Sequence, residues 1–247
     1  MNVALVCIAK NEDKYIEEWI QYHLYLGFDH IFIYENDWRC NINSSLITKI
    51  PFDGTGMQEN AYNNFLKYYS NAYNWVAFFD VDEFLVLKKQ DNIKTFLKDY
   101  DDYNGVAINW YVFGDNNLNE PRETYSVLNR FTKRRKQMDS HVKCIVKTNS
   151  NDSYRIHNFS KISTVNTNKD EVFGPFNKST NDDIAQINHY FTKTIKEWEQ
   201  KKIRGRAPYR KKNEMWFRTD VDFHQHNFNE VEDLQALNFF LKKSNIF

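Results

Sequence analysis

Near-continuous apolar runs alternate with amphipathic segments through the first half of the chain. Such runs are typical of strands buried on both faces, as in a parallel sheet between helices. They lie at residues 3–9, 29–37, 75–79 and 105–114. Between the first two runs, residues 16–26 place apolar side chains three and four positions apart, which predicts a helix. Strand, helix and strand at this spacing indicate a right-handed βαβ unit, so we expect an α/β fold.

The remaining elements are less regular, above all in the second half. Helices are expected at residues 58–70, 91–100 and 194–204, and strands at 46–51, 141–147 and 153–156. The polar segment 166–181 predicts a mobile loop, which would suit a substrate lid. An amphipathic C-terminal helix should pack on the domain, with membrane-surface contact as the alternative. Its apolar positions are Val231, Leu234, Leu237 and Leu241.

Residues 75–85 join a buried strand to a group of carboxylates. If the backbone stays extended, Asp80 and Asp82 point the same way and converge beyond the sheet. Hard oxygen ligands of this kind suit Mn²⁺ or Mg²⁺, with positions left open for a ligand's phosphates. An acidic turn and a phosphatase-type nucleophile are the alternatives, while the glycine and later glutamate of an EF-hand are missing.

The carboxyl ends of the predicted strands should meet at one edge of the sheet. This places residues 9–12 and 35–37 beside Asp80 and Asp82, where α/β proteins bind their ligands. Residues 53–56 contain two glycines but match no phosphate-loop pattern, so we interpret them as a turn.

Charge and cysteine content narrow the class of protein. Thirty-three basic residues balance thirty-three acidic ones, so no net field would attract nucleic acid, and we expect no such partner. The basic cluster 133–136 is expected to be a solvated loop, or else a site for anionic lipid or a phosphorylated ligand. Three cysteines without CxxC spacing indicate a reducing compartment and argue against zinc. No N-terminal apolar segment reaches signal-peptide or membrane-span length, so we predict a cytoplasmic protein, with peripheral contact at the inner face of a membrane as an option.

Two late features carry further candidate chemistry. If residues 194–204 are helical, Lys193, Glu197, Lys201 and Arg204 share one face, which gives a basic row suited to a diphosphate; a solvated face is the alternative. His189 follows an apolar run and could be a buried core histidine or a ligand.

Several of these motifs, in their order along the chain, resemble the family 2-like and family 92-like glycosyltransferases of the GT-A fold. They are Ala9-Lys10-Asn11-Glu12, Glu18-Trp19, Tyr22-His23, Gly27-Phe28, Ile33-Tyr34-Glu35-Asn36, the segment 75–84 with its Asp-Val-Asp-Glu-Phe, His189-Tyr190, Lys193, Lys201 and Arg204-Gly205. The resemblance spans residues 3–206. It implies a Rossmann-like, mixed and mostly parallel central sheet flanked by helices.

The resemblance also implies roles for individual residues. Metal ligands would be Asp80, Asp82 and His189, holding manganese or magnesium. The nucleotide-sugar site would comprise Ala9, Asn11, Glu12, Glu35, Gln58, Asp80, Lys193, Lys201 and Arg204, with Glu35 near the base or ribose. Glu35 stands where an aspartate is more usual.

The catalytic base stays open at this point. Asp182, Asp183, Glu171 and Asp115 are all candidates, because the acidic pair that many family 2 enzymes carry has no evident match. Trp110, Trp198 and Trp216 are candidates to stack on sugar or acceptor, or else to lie in the core.

The resulting hypothesis is a single domain over residues 1–247. Residues 1–115 would bind the nucleotide sugar, and residues 116–247 would form the acceptor side and include the C-terminal helix. The protein would transfer a sugar from a UDP-sugar to a glycan or lipid-linked acceptor, with inversion. A nucleotidyltransferase and an inactive nucleotide- or glycan-binding module are the alternatives.

Overall fold

A computed structural model describes residues 1–120, 126–148, 153–155, 157–159, 161–209 and 217–245. The strands are β1 Val3–Ala9, β2 His30–Glu35, β3 Ile47–Pro51, β4 Trp75–Phe78, β5 Glu83–Leu87, β6 Gly105–Val112, β7 Lys133–Arg134, β8 Val142–Lys147, β9 Tyr154–Arg155, β10 Asn158–Phe159, β11 Thr164–Val165, β12 Glu171–Val172, β13 Ala185–His189 and β14 Val231–Glu232. The helices are α1 Ile16–Tyr25, α2 Gln58–Tyr68, α3 Ile93–Lys98, α4 Val127–Arg130, α5 Ile195–Arg204, α6 Asp220–His226 and α7 Gln235–Ser244, with a 3₁₀ turn at Ser70–Ala72.

Most strands join one mixed sheet in the order β12-β11-β6-β8-β4-β1-β2-β3, and β13 pairs with both β5 and β6. The predicted βαβ unit is confirmed, because β1 and β2 are parallel with Ala4 opposite His30 and are joined through α1. Strand β8 enters antiparallel between β4 and β6, which makes the sheet mixed. The predicted α/β class, with a mixed sheet flanked by helices, is therefore confirmed.

Two apolar layers cover the two faces of the sheet. On one face, Trp19 and Tyr22 of α1 pack with Phe84 and with residues of α7. On the other face, Phe65 of α2 packs against Phe78 at a ring-centroid distance of 6.1 Å. All are buried, and each fully buried aromatic side chain contributes roughly 1.5–3 kcal/mol of hydrophobic stabilisation. The packing fixes the strand ends that carry the polar motifs.

The C-terminal helix packs on the domain, as predicted, through Phe239 and Phe240. Its predicted start was wrong: Val231 lies in β14, which pairs with β7 and so takes up part of the basic cluster 133–136. There Arg134 donates to Asp233 at 2.7 Å and lies over the Tyr111 ring, so it is a packed side chain and not a free surface charge. Each helix of the described residues is too short or too polar to cross a bilayer.

The polar segment 166–181 contains β12, which pairs with β11 in a short antiparallel ladder. Phe176 from this segment lies against His141, with ring centroids 4.6 Å apart. The segment is therefore partly ordered into the sheet, and its mobility stays a prediction.

Candidate functional site

A cavity of about 350 Å³ opens at the carboxyl ends of β1, β4 and β13, where the topology predicts a ligand site. Its walls combine three groups of residues. The first comprises Ile8, Ala9, Lys10, Glu12, Asn36, Gly54, Thr55, Gly56 and Gln58; the second Asp80, Val81, Asp82, Trp110, Val112, Asp139, His141, His157, His189 and Phe191; the third Lys201, Arg204, Gly205, Arg206, Ala207, Pro208, Tyr209, Arg218 and His226. A volume of this size lies within the range of small-molecule sites.

The acidic motif is a turn and not the extended strand end that we predicted. Strand β4 ends at Phe78 and β5 begins at Glu83, and the Glu83 amide donates to the Asp80 carbonyl at 3.0 Å. The turn directs Asp80 and Asp82 to different partners, although both line the cavity. The two carboxylates thus do not converge along one extended strand, and a cation held by both stays a prediction.

Asp80 is bonded on both carboxylate oxygens. Its Oδ1 accepts from Gln58 at 3.0 Å and from Tyr62 at 3.4 Å, and its Oδ2 accepts from Lys143 at 2.9 Å. Lys143 is fully buried and also lies 3.2 Å from Glu83. Burial lowers the pKa of Lys143, but Asp80 and Glu83 outweigh it and raise the pKa above its usual value. This group is therefore an internally neutralised cluster.

Asp82 is in a different environment. Its Oδ2 accepts from Lys201 at 2.7 Å, and its Oδ1 lies 3.7 Å from His189 Nε2. Burial opposes ionisation of Asp82, yet Lys201, His189 and Lys193 hold its pKa well below the usual range. Asp82 is therefore a buried anion in cationic surroundings.

Positive charge is in excess around Asp82. Arg204 bonds Glu12 and the Lys10 carbonyl, whereas Arg218 donates only to backbone carbonyls and forms no salt bridge with the described residues. Burial, with the neighbouring Arg204 and Arg206, lowers the pKa of Arg218 to about 10. Burial and nearby cations also lower the pKa of Lys201 to about 7, against the pull of Asp82. Such crowding costs energy that a bound polyanion would relieve.

His189 and Asp82 fit the expected metal, and Asp80 does not. Strand β13 pairs antiparallel with β5, which places His189 opposite Glu83 and beside Asp82. Burial lowers the pKa of His189 to about 3, so the imidazole is neutral, the form that binds metals. The 3.7 Å between Asp82 Oδ1 and His189 Nε2 is less than twice a typical Mg²⁺–ligand distance of about 2.1 Å, so one ion could touch both. Within the described part of the chain, no group of three histidine, cysteine or acidic side chains could hold an ion, so phosphate oxygens would have to complete its shell.

The part of the cavity wall formed by residues 54–56 was not predicted from the sequence. The glycine turn that we interpreted as structural lines the cavity through Gly54 and Gly56, which adopt positive φ angles of 122° and 70°. Asn36 holds this turn by donating to the carbonyls of Phe52 and Gly54 at 2.9 and 2.7 Å. The two glycines were the only sequence signal for this part of the site, and their spacing matches no phosphate-loop pattern.

Most of the predicted nucleotide-sugar residues line the cavity, but three do not: Asn11, Glu35 and Lys193. Glu35 is buried and accepts from the Cys40 amide at 2.8 Å. The Lys193 ammonium lies 4.4 Å from the centroid of the Tyr15 ring. Glu197 does not share the basic row either: helix α5 is present, but Glu197 forms a buried salt bridge with Arg130 at 2.8 Å and completes a capping box with Thr194.

The four candidate bases lie away from the cavity wall. Asp182 pairs with Lys88 at 2.6 Å, and Asp115 accepts from Asn227 and Asn229, both at 2.9 Å. Asp183 and Glu171 are exposed. A different carboxylate, Asp139, does line the cavity, next to His141.

Of the three tryptophans, Trp110 lines the cavity and Trp198 is fully buried between Phe191 and Phe223. Trp216 lies outside the described residues. The Trp110 ring stacks on His141 with centroids 5.0 Å apart and contacts His189 at 4.4 Å. Trp110 therefore connects the Asp82 region to the Asp139–His141 pair.

The fold and the cavity together define an α/β protein with a cationic ligand site at the carboxyl edge of a mixed sheet. The chain belongs to glycosyltransferase family 92, whose sequence model matches residues 55–230. Family membership confirms the resemblance inferred from the motifs.

Individual relatives match over shorter segments. A glycosyltransferase family 92 protein of Ricinus communis is 25% identical over 114 residues, covering 39% of this chain and 20% of the relative. One of Arabidopsis thaliana is 30% identical over 83 residues, covering 30% of this chain and 14% of the relative. The chain thus matches a fifth or less of the length of these two relatives. Among solved structures, S. aureus TarS shares 14% identity with a TM-score of 0.36, over 60% of this chain and 47% of that one, and we draw no conclusion from a likeness of this extent.

Proposed function

We propose that this chain transfers a sugar from a nucleotide diphosphate sugar, with UDP as the nucleotide, to a hydroxyl group of a glycan or lipid-linked saccharide. Membership of glycosyltransferase family 92 supports the reaction class. The excess of buried cations around Asp82 is the observation that supports a diphosphate donor, because Arg218 forms no salt bridge with the described residues and only Asp82 pairs with Lys201 among them.

The donor would lie with its diphosphate beside Lys201, Arg204 and Arg218. These cations would stabilise the negative charge that develops on the leaving nucleoside diphosphate. Their burial strengthens this electrostatic attraction. The nucleoside would then extend along Ala9, Asn36 and the glycine turn 54–56, where backbone groups line the wall. Sugar and acceptor would occupy the side that carries Trp110.

Asp82 and His189 would hold Mn²⁺ or Mg²⁺. A bound ion of this kind would add positive charge next to the diphosphate and so favour its departure. Lys201 occupies only one oxygen of Asp82, which leaves Oδ1 available on the His189 side. Displacement from the face opposite the diphosphate would invert the anomeric carbon.

Calorimetric titration of UDP with Mn²⁺, and again with EDTA, tests this proposal. We expect binding that needs the metal and that weakens at least 100-fold in Asp82→Ala. Asp182→Asn is the matched control, because it removes a carboxylate charge outside the cavity and should leave UDP binding unchanged. Absence of metal-dependent binding of UDP, GDP and CDP would contradict the proposed function.

Product analysis then separates the reaction classes. The transferase should release UDP from a UDP-sugar, whereas a nucleotidyltransferase would release pyrophosphate. An inactive binding module would bind UDP and release neither product.

A further inference from the structure

We propose that His141 is the catalytic base that deprotonates the acceptor hydroxyl, and that Asp139 positions it. This inference rests on the proposed glycosyl transfer. It assigns the catalytic base, which the four predicted candidates cannot provide because they lie away from the cavity wall. Both residues line the cavity.

The two side chains form a carboxylate–imidazole pair. His141 Nδ1 lies 2.6 Å from Asp139 Oδ1, which also accepts from the His141 amide at 2.9 Å. A carboxylate on Nδ1 selects the tautomer with its proton on that nitrogen, so Nε2 keeps a free lone pair. A neutral imidazole oriented in this way is the commonest general base in enzymes.

Backbone hydrogen bonds and aromatic contacts hold the Asp139–His141 pair in place. The Asp139 amide donates to the Trp110 carbonyl at 2.8 Å, and the buried Asn109 donates from Nδ2 to the carbonyls of Asp139, Ser140 and Asn177 at 3.0, 3.2 and 3.0 Å. The His141 ring stacks on Trp110 at a centroid distance of 5.0 Å, and Phe176 contacts it edge-on at 4.6 Å. The backbone is therefore held by hydrogen bonds and the ring by two aromatic contacts, as a positioned base requires.

Other groups near the site are less suited to this role. Burial opposes ionisation of Asp139, but its hydrogen bonds from His141 lower its pKa to about 2, so it is a weak base at neutral pH. His157 has its ring centroid 5.9 Å from that of His141; burial lowers its pKa to about 2, and its Nδ1 has no partner among the described residues. Arg135 lies 3.9 Å from the other Asp139 oxygen, so Asp139 remains an anion when His141 is protonated.

The position of His141 also suits a displacement with inversion. Trp110 contacts both His189 and His141, so one indole ring links His141 to the proposed metal site. In the step, the acceptor proton passes to His141 Nε2 and the acceptor oxygen bonds to the anomeric carbon. The bond from that carbon to the phosphate oxygen breaks, and its electron pair leaves with the nucleoside diphosphate. His141 then returns the proton to solvent, to which its side chain is 39% exposed.

The test measures UDP release from UDP-glucose, UDP-galactose and UDP-N-acetylglucosamine with water as acceptor, together with UDP binding by calorimetry. We expect His141→Gln to lower kcat about 100-fold or more and to leave the donor KM and UDP affinity within threefold. Asp139→Asn should lower kcat about tenfold, again with little change in KM. His30→Gln is the matched control, because His30 bonds Thr48 and does not line the cavity.

Two further readouts separate catalysis from folding. Added imidazole should restore part of the kcat of His141→Ala, and the acid limb of the wild-type pH–rate profile should be absent in His141→Gln. If the wild type releases UDP and His141→Gln does so at the same rate, the assignment of the base is overturned and the proposed function stands. If the wild type neither binds nor releases UDP, the proposed function fails first and this inference fails with it.

Discussion

Asp80 and Asp82 are separated by one residue, yet they have opposite electrostatic surroundings. Asp80 is saturated by Gln58, Tyr62 and Lys143, whose charge it neutralises. Among the described residues, Asp82 accepts a hydrogen bond on Oδ2 alone, and Lys201, His189 and Lys193 hold its pKa low. A closed cluster of this kind stabilises the fold, whereas an open one can change partners when a ligand arrives. We therefore assign structure to the Asp80 side and donor binding to the Asp82 side.

Replacing the two lysines gives the largest contrast between these sides. Lys143→Met removes the buried cation that bonds Asp80, so the free energy of unfolding should fall by about 3 kcal/mol, while UDP affinity changes less than threefold. Lys201→Met leaves the buried Asp82 anion without its hydrogen-bonded cation, so the free energy of unfolding should also fall by about 3 kcal/mol, but UDP binding should weaken about 10- to 100-fold. Denaturant unfolding and calorimetry measure the two quantities. Equal losses of UDP affinity in both variants would contradict the assignment.

The Asp82 side also depends on α5, whose last turn carries Lys201 and Arg204. The start of this helix is capped by Thr194 and Glu197. Burial raises the pKa of Glu197, but hydrogen bonds from Arg130, Thr194 and Tyr15 outweigh it and lower the pKa to about 2. Because the folded pKa is below that of the unfolded chain, about 4.3, this stabilisation is complete above that pH and is lost as the pH falls toward 2.

Glu197→Gln should therefore lower the free energy of unfolding at pH 7 by about 3 kcal/mol, since it breaks the buried salt bridge with Arg130. It should also remove this part of the acid dependence between pH 4.5 and 2. Glu120→Gln is the control, because its salt bridge with Lys196 is exposed and contributes little. Identical acid unfolding of the wild type and Glu197→Gln would contradict this account.

The smallest effect is expected at the edge of the Asp80 cluster. Tyr62 donates to Asp80 over 3.4 Å, a long hydrogen bond, and its ring packs on Phe78. Tyr62→Phe keeps the packing, so thermal unfolding should show a loss of about 0.5 kcal/mol and UDP titration no change. A tenfold loss of UDP affinity would show that the Asp80 cluster contributes to donor binding.

The elements that depend on local spacing of apolar residues were predicted correctly from the sequence. Buried apolar runs identified β1, β2, β4 and β6, and the strand ends correctly located the cavity. The turn at residues 80–82 was predicted only as the alternative to an extended strand end, because its reversal depends on Glu83, whose carboxylate accepts from the Asp80 amide at 2.9 Å.

The base was missed for a related reason. The predicted base candidates were all acidic residues. Asp139 and His141 reach the cavity because Asn109 and Trp110 bond the backbone of Asp139. Asn109 and Asp139 are thirty residues apart, so no local pattern reports their contact. The Asp-Ser-His spacing was the only local signal, and it is too common to identify a base by itself.

The central proposal is that Asp82, and not Asp80, binds the metal that meets the donor diphosphate. Electron paramagnetic resonance of Mn²⁺ titrated into the protein with UDP tests it most directly, with Asp82→Asn and Asp80→Asn as isosteric variants. We predict that Asp80→Asn retains the bound-manganese signal with affinity within tenfold of wild type and that Asp82→Asn loses it. Loss of the signal in Asp80→Asn, with retention in Asp82→Asn, would contradict the account.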